Sequence, residues 1–340
     1  MLSKMPLKNP SDISCVDHAP LAWHARAGAI LPTLAILALI IAGIAASAPL
    51  RGLLSVALAD LTPGSVLVVL PMQALAIGVC SLALWTLKPG VSPWGCFLSR
   101  LLRDAGNGLL LVLPGLGEAI GTRVMVLAGG RPRAALSVRG LDILAETLGQ
   151  LPYMGVALVV LTHVWRHLGL PELSWPGAQG LAVTAMLAIG LVIALAAARR
   201  WAKGPGRCTR LMRRLRAEYH LFARELRRRR GALPLAILLH IIAWGMSGVQ
   251  IWLAARVLGL PLSFEGAIAL ESAASTTRVL LFFVPGGLAA QEAGMVGAGF
   301  AFGLAPSASL ALALVFRLRD AIFGLALLWW PAMEAKARRA

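Results

Sequence analysis

The sequence predicts an all-α polytopic membrane protein with about six full spans and two Pro-Gly re-entrant helical hairpins in an inverted-topology repeat. Three observations predict it. Hydrophobic residues make up 58% of the 340-residue chain and charged residues 14%, and mean hydropathy is +0.77; such values belong to chains that live in lipid. Several apolar runs reach the ~20 residues needed to cross ~30 Å of hydrocarbon. Finally, one order of residues occurs twice: an apolar run, a Pro-Gly break, a glutamate, another apolar stretch, then Arg-x-x-Asp. The first copy holds Pro114, Gly115, Glu118, Arg139 and Asp142; the second holds Pro285, Gly286, Gly287, Glu292, Arg317 and Asp320. A doubled, Pro/Gly-interrupted segment that carries charge is the sequence signature of a transporter's binding site.

The apolar runs 27–48, 64–86, 138–165, 177–199, 232–258 and 307–331 read as spans. Two regions between them, 94–130 and 264–304, each hold two apolar arms around the break. Residues 117–129 would make only ~20 Å of helix, which is short for a crossing. Backbone groups freed by the breaks have no partner in lipid, so they must be buried in protein or face a wet cavity. Each broken region is preceded and followed by one span, which gives two halves, 64–165 and 232–331. The resulting organisation is a tail 1–26, a first transmembrane half 27–198 with hairpin 94–130, a basic loop 199–231, a second half 232–333 with hairpin 264–304, and a tail 334–340. A full crossing by each pair of arms would keep the same parity and stays open.

Charge sets the orientation. The chain has 32 Lys and Arg against 15 Asp and Glu, and thirteen of the 32 lie between Arg199 and Arg230. By the excess of Lys and Arg in cytoplasmic loops, 199–230, the 131–139 loop, the Lys88 turn and both termini face inside. Loops 166–176 and 258–263 carry almost no positive charge and face outside. The basic loop, which reads in part as an amphipathic helix over 209–230, is suited to anionic lipid head groups at the membrane surface. Nucleic acid is not expected, since no recognition module accompanies the charge. The expected result of labelling from outside is modification of a cysteine introduced at Pro171 and none of one at Gly206; the reverse pattern would reject the orientation and the inverted repeat with it.

The chemistry-bearing residues cluster with the breaks. Glu118 and Glu292 follow them, where a helix start offers free N–H groups and a positive dipole end. They can cap their own helices, hold a proton or meet a polar head group. Arg139 and Asp142, like Arg317 and Asp320, stand at i, i+3 and can pair within one helix. Asp142, Glu146 and Gln150 form a polar stripe that suits either a helix–helix seam or a transport route. Glu271, Ser272, Ser275, Thr276 and Arg278 add polarity to one arm. Arg100, Arg103, Asp104 and Asn107 read as interfacial, and His163 and His240 as helix-packing histidines. Four scattered cysteines show no metal or redox spacing. No hydrolase, metalloprotease or phosphate-loop motif occurs, so neither enzymatic activity, cofactor nor metal is expected. Asp12 and Asp17 precede the first apolar run and no small-residue cleavage site follows a short one, which argues against a cleaved signal peptide.

Leu113-Pro-Gly-Leu-Gly-Glu118, Ala135-Leu-Ser-Val-Arg-Gly-Leu-Asp142 with Glu146 and Gln150, and Pro285-Gly-Gly-Leu-Ala-Ala-Gln-Glu292 carry a resemblance. Together they resemble the flippase-like membrane region of lysylphosphatidylglycerol synthases, and within that superfamily the hopanoid-biosynthesis-associated membrane proteins. The late motif resembles Pro-Gly-Gly-x-Gly-x-x-Glu, with alanine at 289 and 290 where a glycine is usual, and Arg139 is unusual in its segment. The resemblance covers most of 60–331. It implies handling of a lipid in a bacterial inner membrane, with phospholipid, hopanoid or another isoprenoid lipid moved between leaflets or membranes. Lysyl transfer is not implied, because no aminoacyl-transferase segment follows. The alternatives are an accessory protein that binds lipid-biosynthesis enzymes, or another copy of itself, and an intramembrane enzyme acting on polyprenyl lipids. Transport predicts an acidic, wet central cavity.

Overall fold

A computed structural model describes residues 45–109, 115–167, 220, 222–280 and 290–337. The described residues are helical throughout, without a strand. In chain order the helices are α1 (Ala48–Ala59), α2 (Pro63–Leu67), α3 (Val69–Thr86), α4 (Pro93–Leu109), α5 (Leu116–Leu127), α6 (Pro132–His167), α7 (Leu233–Val257), α8 (Phe264–Leu280), α9 (Ala290–Ala301) and α10 (Pro306–Gly324). A 3₁₀ turn, Leu325–Trp329, then leads into α11 (Trp330–Ala337). Most of the runs 27–48 and 177–199, both tails, most of the basic loop, Pro114 and Pro285–Gly287 lie outside the described residues.

Three helices among the described residues are long and apolar enough to cross a membrane: Pro63–Thr86, Pro132–Val160 and Leu233–Val257. They match three of the expected spans. The run 307–331 does not form one apolar helix. It divides at Gly324 into α10 and the 3₁₀ turn, and Arg317, Arg319 and Asp320 interrupt its apolar character. Those three charges turn into the protein, so composition along the run overstates how much of it meets lipid.

Both broken regions are pairs of helices of matched length. α4 has 17 residues and α5 has 12; α8 has 17 and α9 has 12. At 1.5 Å per residue these are ~26 and ~18 Å long, each below the ~30 Å of a hydrocarbon core. In each pair the arms pack on each other. The halves also exchange contacts reciprocally: α4 packs on α10 and α8 on α6, while α3 lies against α7. Gly115 opens α5 at φ +84, a left-handed conformation that costs glycine nothing and a side chain 1–2 kcal/mol. This is why the first break is followed by glycine.

Small residues let the arms of the first hairpin close. A Cβ on Gly117 would collide with the Arg103 carbonyl and the Asn107 side chain, and one on Gly121 would sit 2.9 Å from Arg103 Cβ and 2.8 Å from an Arg139 nitrogen. The Gly117-x-x-x-Gly121 spacing thus places both glycines on one face against α4, the small-residue solution for helices that must touch in lipid. Gly117→Ala is expected to force α4 and α5 apart at a cost of about 1–3 kcal/mol. A lowered melting temperature of the detergent-solubilised protein, with Gly78→Ala at an open position on α3 as the comparison, would read this out. An unchanged melting temperature for Gly117→Ala would show that the close approach is dispensable.

Three apolar clusters surround the polar centre. Leu270, Ile251, Met295, Leu312 and Phe316 belong to the first, Leu84, Leu87, Met125, Val138 and Leu141 to the second, and Ile77, Leu102, Ile120 and Val124 to the third. Arg229, at the end of the basic segment, donates to the carbonyl oxygens of Leu87 and Lys88, and Phe222 lies beside Gly140. The end of the basic segment thus lies against the Lys88 turn and α6.

Candidate functional site

A cavity of about 620 Å³ lies between the two halves. Its wall draws on α3, α4, α6, α7, α8, α9 and α10, and it carries Arg100, Arg103, Arg278, Arg317 and Arg319 against Asp104, Glu146, Glu271 and Asp320. The expected acidic cavity is thus replaced by one in which cations and carboxylates nearly balance. The reason is the first arm. Arg100 and Arg103 are 5% and 7% exposed, so these residues, with Asp104 and Asn107, belong to the site and not to the interface where the sequence placed them. Composition alone could not show this, because α4 is strongly amphipathic and its charged face turns inward.

The first half builds a dense network. Arg100 forms bonds to Asp104 at 3.0 Å and to Glu146 at 2.7 Å. Arg103 reaches Glu118 at 2.5 Å and Glu146 at 2.7 Å. Arg139 donates to Asp142 at 2.9 Å and to Ser99, and its Nε lies 3.8 Å from Glu118. Asp142 is fully buried; its second oxygen meets His240 Nε2 on α7 at 3.1 Å. The predicted i, i+3 pair therefore exists, yet it is one link in a chain joining α4, α5, α6 and α7. His240 packs as expected and in addition connects the halves through Asp142. The side chain of His163 lies outside the described residues.

The second half repeats the theme with fewer members. Glu292 bonds Arg317 through both guanidinium edges, the Nη2 contact at 3.1 Å. This is the counterpart of Glu118 and Arg139. The expected link within α10 differs: Asp320 takes its neighbour Arg319 at 2.7 Å, while Arg317 reaches across to α9. One helical turn separates residues three apart, but the long Arg317 side chain finds a carboxylate on the facing helix. Arg319 also donates to Gln250 at 2.7 Å, and Gln250 to Gln73 at 3.3 Å, so a polar thread runs from α10 through α7 to α3. Nothing in the repeated motif pointed to Arg319, Gln250 or Gln73; only the isolation of two glutamines within long apolar spans was a signal. Arg278 donates to Gln291 at 3.4 Å.

The residues singled out by sequence fall in two groups. Glu146, Glu271, Arg278, Arg317, Asp320 and Gly115 line the cavity. Glu118, Glu292, Arg139 and Asp142 stand behind the wall, where Glu118 holds Arg103, Glu292 holds Arg317 and Asp142 pairs with Arg139. A family model described as the lysylphosphatidylglycerol synthase TM region matches residues 26–327.

The chain belongs to that family.

No curated protein matches it by sequence. Membership places the chain in the membrane and in a lipid-related setting, as the motifs implied, and the match covers both halves with the cavity between them.

Proposed function

We propose that this member of the lysylphosphatidylglycerol synthase TM-region family moves a lipid between membrane leaflets, or between membranes, without acting on it as an enzyme. The observation that carries the reading is the charged cavity itself. Nine arginine, aspartate and glutamate side chains line a space of about 620 Å³ between helices of membrane-spanning length. Charges at such depth cost about 2.5–3.5 kcal/mol each on insertion scales and mark pathways for polar cargo. A lipid head group is the polar cargo that a lipid-facing protein of this family would carry. The paired short helices α4–α5 and α8–α9 act as re-entrant hairpins of an inverted repeat, entering from opposite faces. Hopanoid or related isoprenoid lipid is the favoured cargo on the resemblance of its motifs. The site is at the inner membrane of a bacterium, with both termini and the basic segment on the cytoplasmic side.

Two measurements test this. Purified protein in vesicles should speed the exposure of a labelled lipid, and a cell's inner and outer membranes should differ in lipid profile with and without the protein. Vesicles that redistribute phospholipid and hopanoid no faster than empty ones would reject transport. Turnover of a polyprenyl lipid by the purified protein would favour the enzyme reading instead.

A further inference from the structure

Every carboxylate named in the polar centre but one has an arginine within ion-pair distance among the described residues. Asp104 and Glu146 have Arg100, Asp142 has Arg139, Glu118 has Arg103, Glu292 has Arg317, and Asp320 has Arg319. Glu271 is the exception. It is 4% exposed, it lines the cavity, and its Oε2 has no hydrogen-bond partner among the described residues.

Its position in the repeat shows what has changed. Arg100 stands seven residues after the first residue of α4, and Glu271 stands seven after the first residue of α8. In the first half this place is held by a cation that knits the network together. In the second it is held by a carboxylate that has no arginine within ion-pair distance among the described residues. The groups that face it are known from each side. Its own helix offers Ser275 and, two turns on, Arg278; α10 offers Arg319 and Asp320, which already pair with each other. From α6 comes the Tyr153 hydroxyl. α7 contributes Gln250, already engaged with Arg319, and α9 contributes Gln291, engaged with Arg278.

A lone ionised carboxylate in so dry a place is costly, and the cost disappears when it binds a proton. Access is provided by the cavity, whose wall Glu271 helps to form.

We propose that Glu271 is an exchangeable proton-binding site in the cavity wall, and that its loading and unloading are coupled to lipid movement. The coupling rests on the transport reading; the proton site does not. Loading removes the charge and closes the wall around a neutral carboxylic acid. Unloading restores a negative charge beside Arg278, Arg319 and any head group then present.

The experiment has two arms. In the first, the full chain in vesicles is treated with dicyclohexylcarbodiimide, a hydrophobic reagent that attacks protonated carboxyls, at pH 6, 7 and 8. Peptide mass spectrometry then locates the adduct. The expected adduct is on Glu271, declines several-fold from pH 6 to pH 8, and is absent in Glu271→Gln, while Glu146 and Asp142 stay unmodified. Absence of an adduct on Glu271, or equal labelling of the arginine-paired carboxylates, would overturn the proton site. In the second arm, lipid redistribution is followed with and without a pH gradient while a trapped dye reports internal pH. Wild type should move lipid several-fold faster with the gradient, Glu271→Asp should retain part of that response, and Glu271→Gln should move lipid at one rate regardless. Labelling without gradient dependence would overturn the coupling, and a response to a sodium gradient at constant pH would overturn the proton as its ion. A protein that labels but moves no lipid would overturn the transport reading and the coupling, with the proton site standing on the first arm.

Discussion

Asp142→Ala should remove most of the folded protein from the membrane. Asp142 is fully buried and holds three groups at once: Arg139 at 2.9 Å, His240 at 3.1 Å and Arg100 at 3.9 Å. Alanine would leave Arg139, 2% exposed, with a buried charge and one fewer carboxylate. Breaking a buried pair by removing one partner costs about 3–5 kcal/mol, a large share of the ~5–15 kcal/mol that keeps a folded protein folded. The loss also cuts the link between α6 and α7. Fluorescence-detected gel filtration of the solubilised membrane protein should show a collapsed monodisperse peak for Asp142→Ala and a smaller loss for Asp142→Asn, which still accepts a hydrogen bond. Arg317→Ala, which strands Glu292, and Asp320→Ala, which strands Arg319, should lower yield by the same mechanism but less, since both sites are more open to water. Wild-type yield for Asp142→Ala would mean that the network relaxes around the missing charge and that its centre lies elsewhere.

Glu118→Gln and Glu292→Gln should fold and yet each slow lipid movement about tenfold, equivalent to ~1.4 kcal/mol. Each glutamate sits in the first turn of its helix, α5 or α9, and each holds an arginine that faces the cavity, Arg103 or Arg317. Glutamine still accepts one hydrogen bond from the arginine, so the fold survives. What it removes is the charge that competes with a lipid's anionic groups for the arginine. An arginine freed in this way holds its cargo too tightly or lets the hairpin stand in one position. The decisive quantity is redistribution of labelled lipid in reconstituted vesicles, normalised to folded protein. Full activity in the double variant would establish both glutamates as structural.

The repeat was legible in the sequence because its markers are local. Pro-Gly breaks, the glutamates that follow them, and arginine and aspartate at i, i+3 survive as patterns however the helices pack. Arg100 and Arg103 were misplaced for a physical reason: a charged face looks alike whether it meets head groups at an interface or other charges in a dry interior. Arg319 was invisible because its role depends on Gln250, 69 residues away in sequence. Glu271 could be named as polar, but its lack of an arginine is a statement about neighbours on α6, α7, α9 and α10 and has no sequence correlate.

By itself, then, the sequence determined that the chain is helical, that it belongs in lipid, and that two broken segments carry matched charge. Hydropathy and glycine or proline geometry are properties of short stretches, and short stretches decide them. The tertiary structure alone decided which carboxylate meets which arginine, which charges face the cavity and which stand behind its wall. Ion pairing acts over a few ångströms between side chains brought together by folding, so the balance of charge in the cavity is set by helix packing and not by the order of residues along the chain.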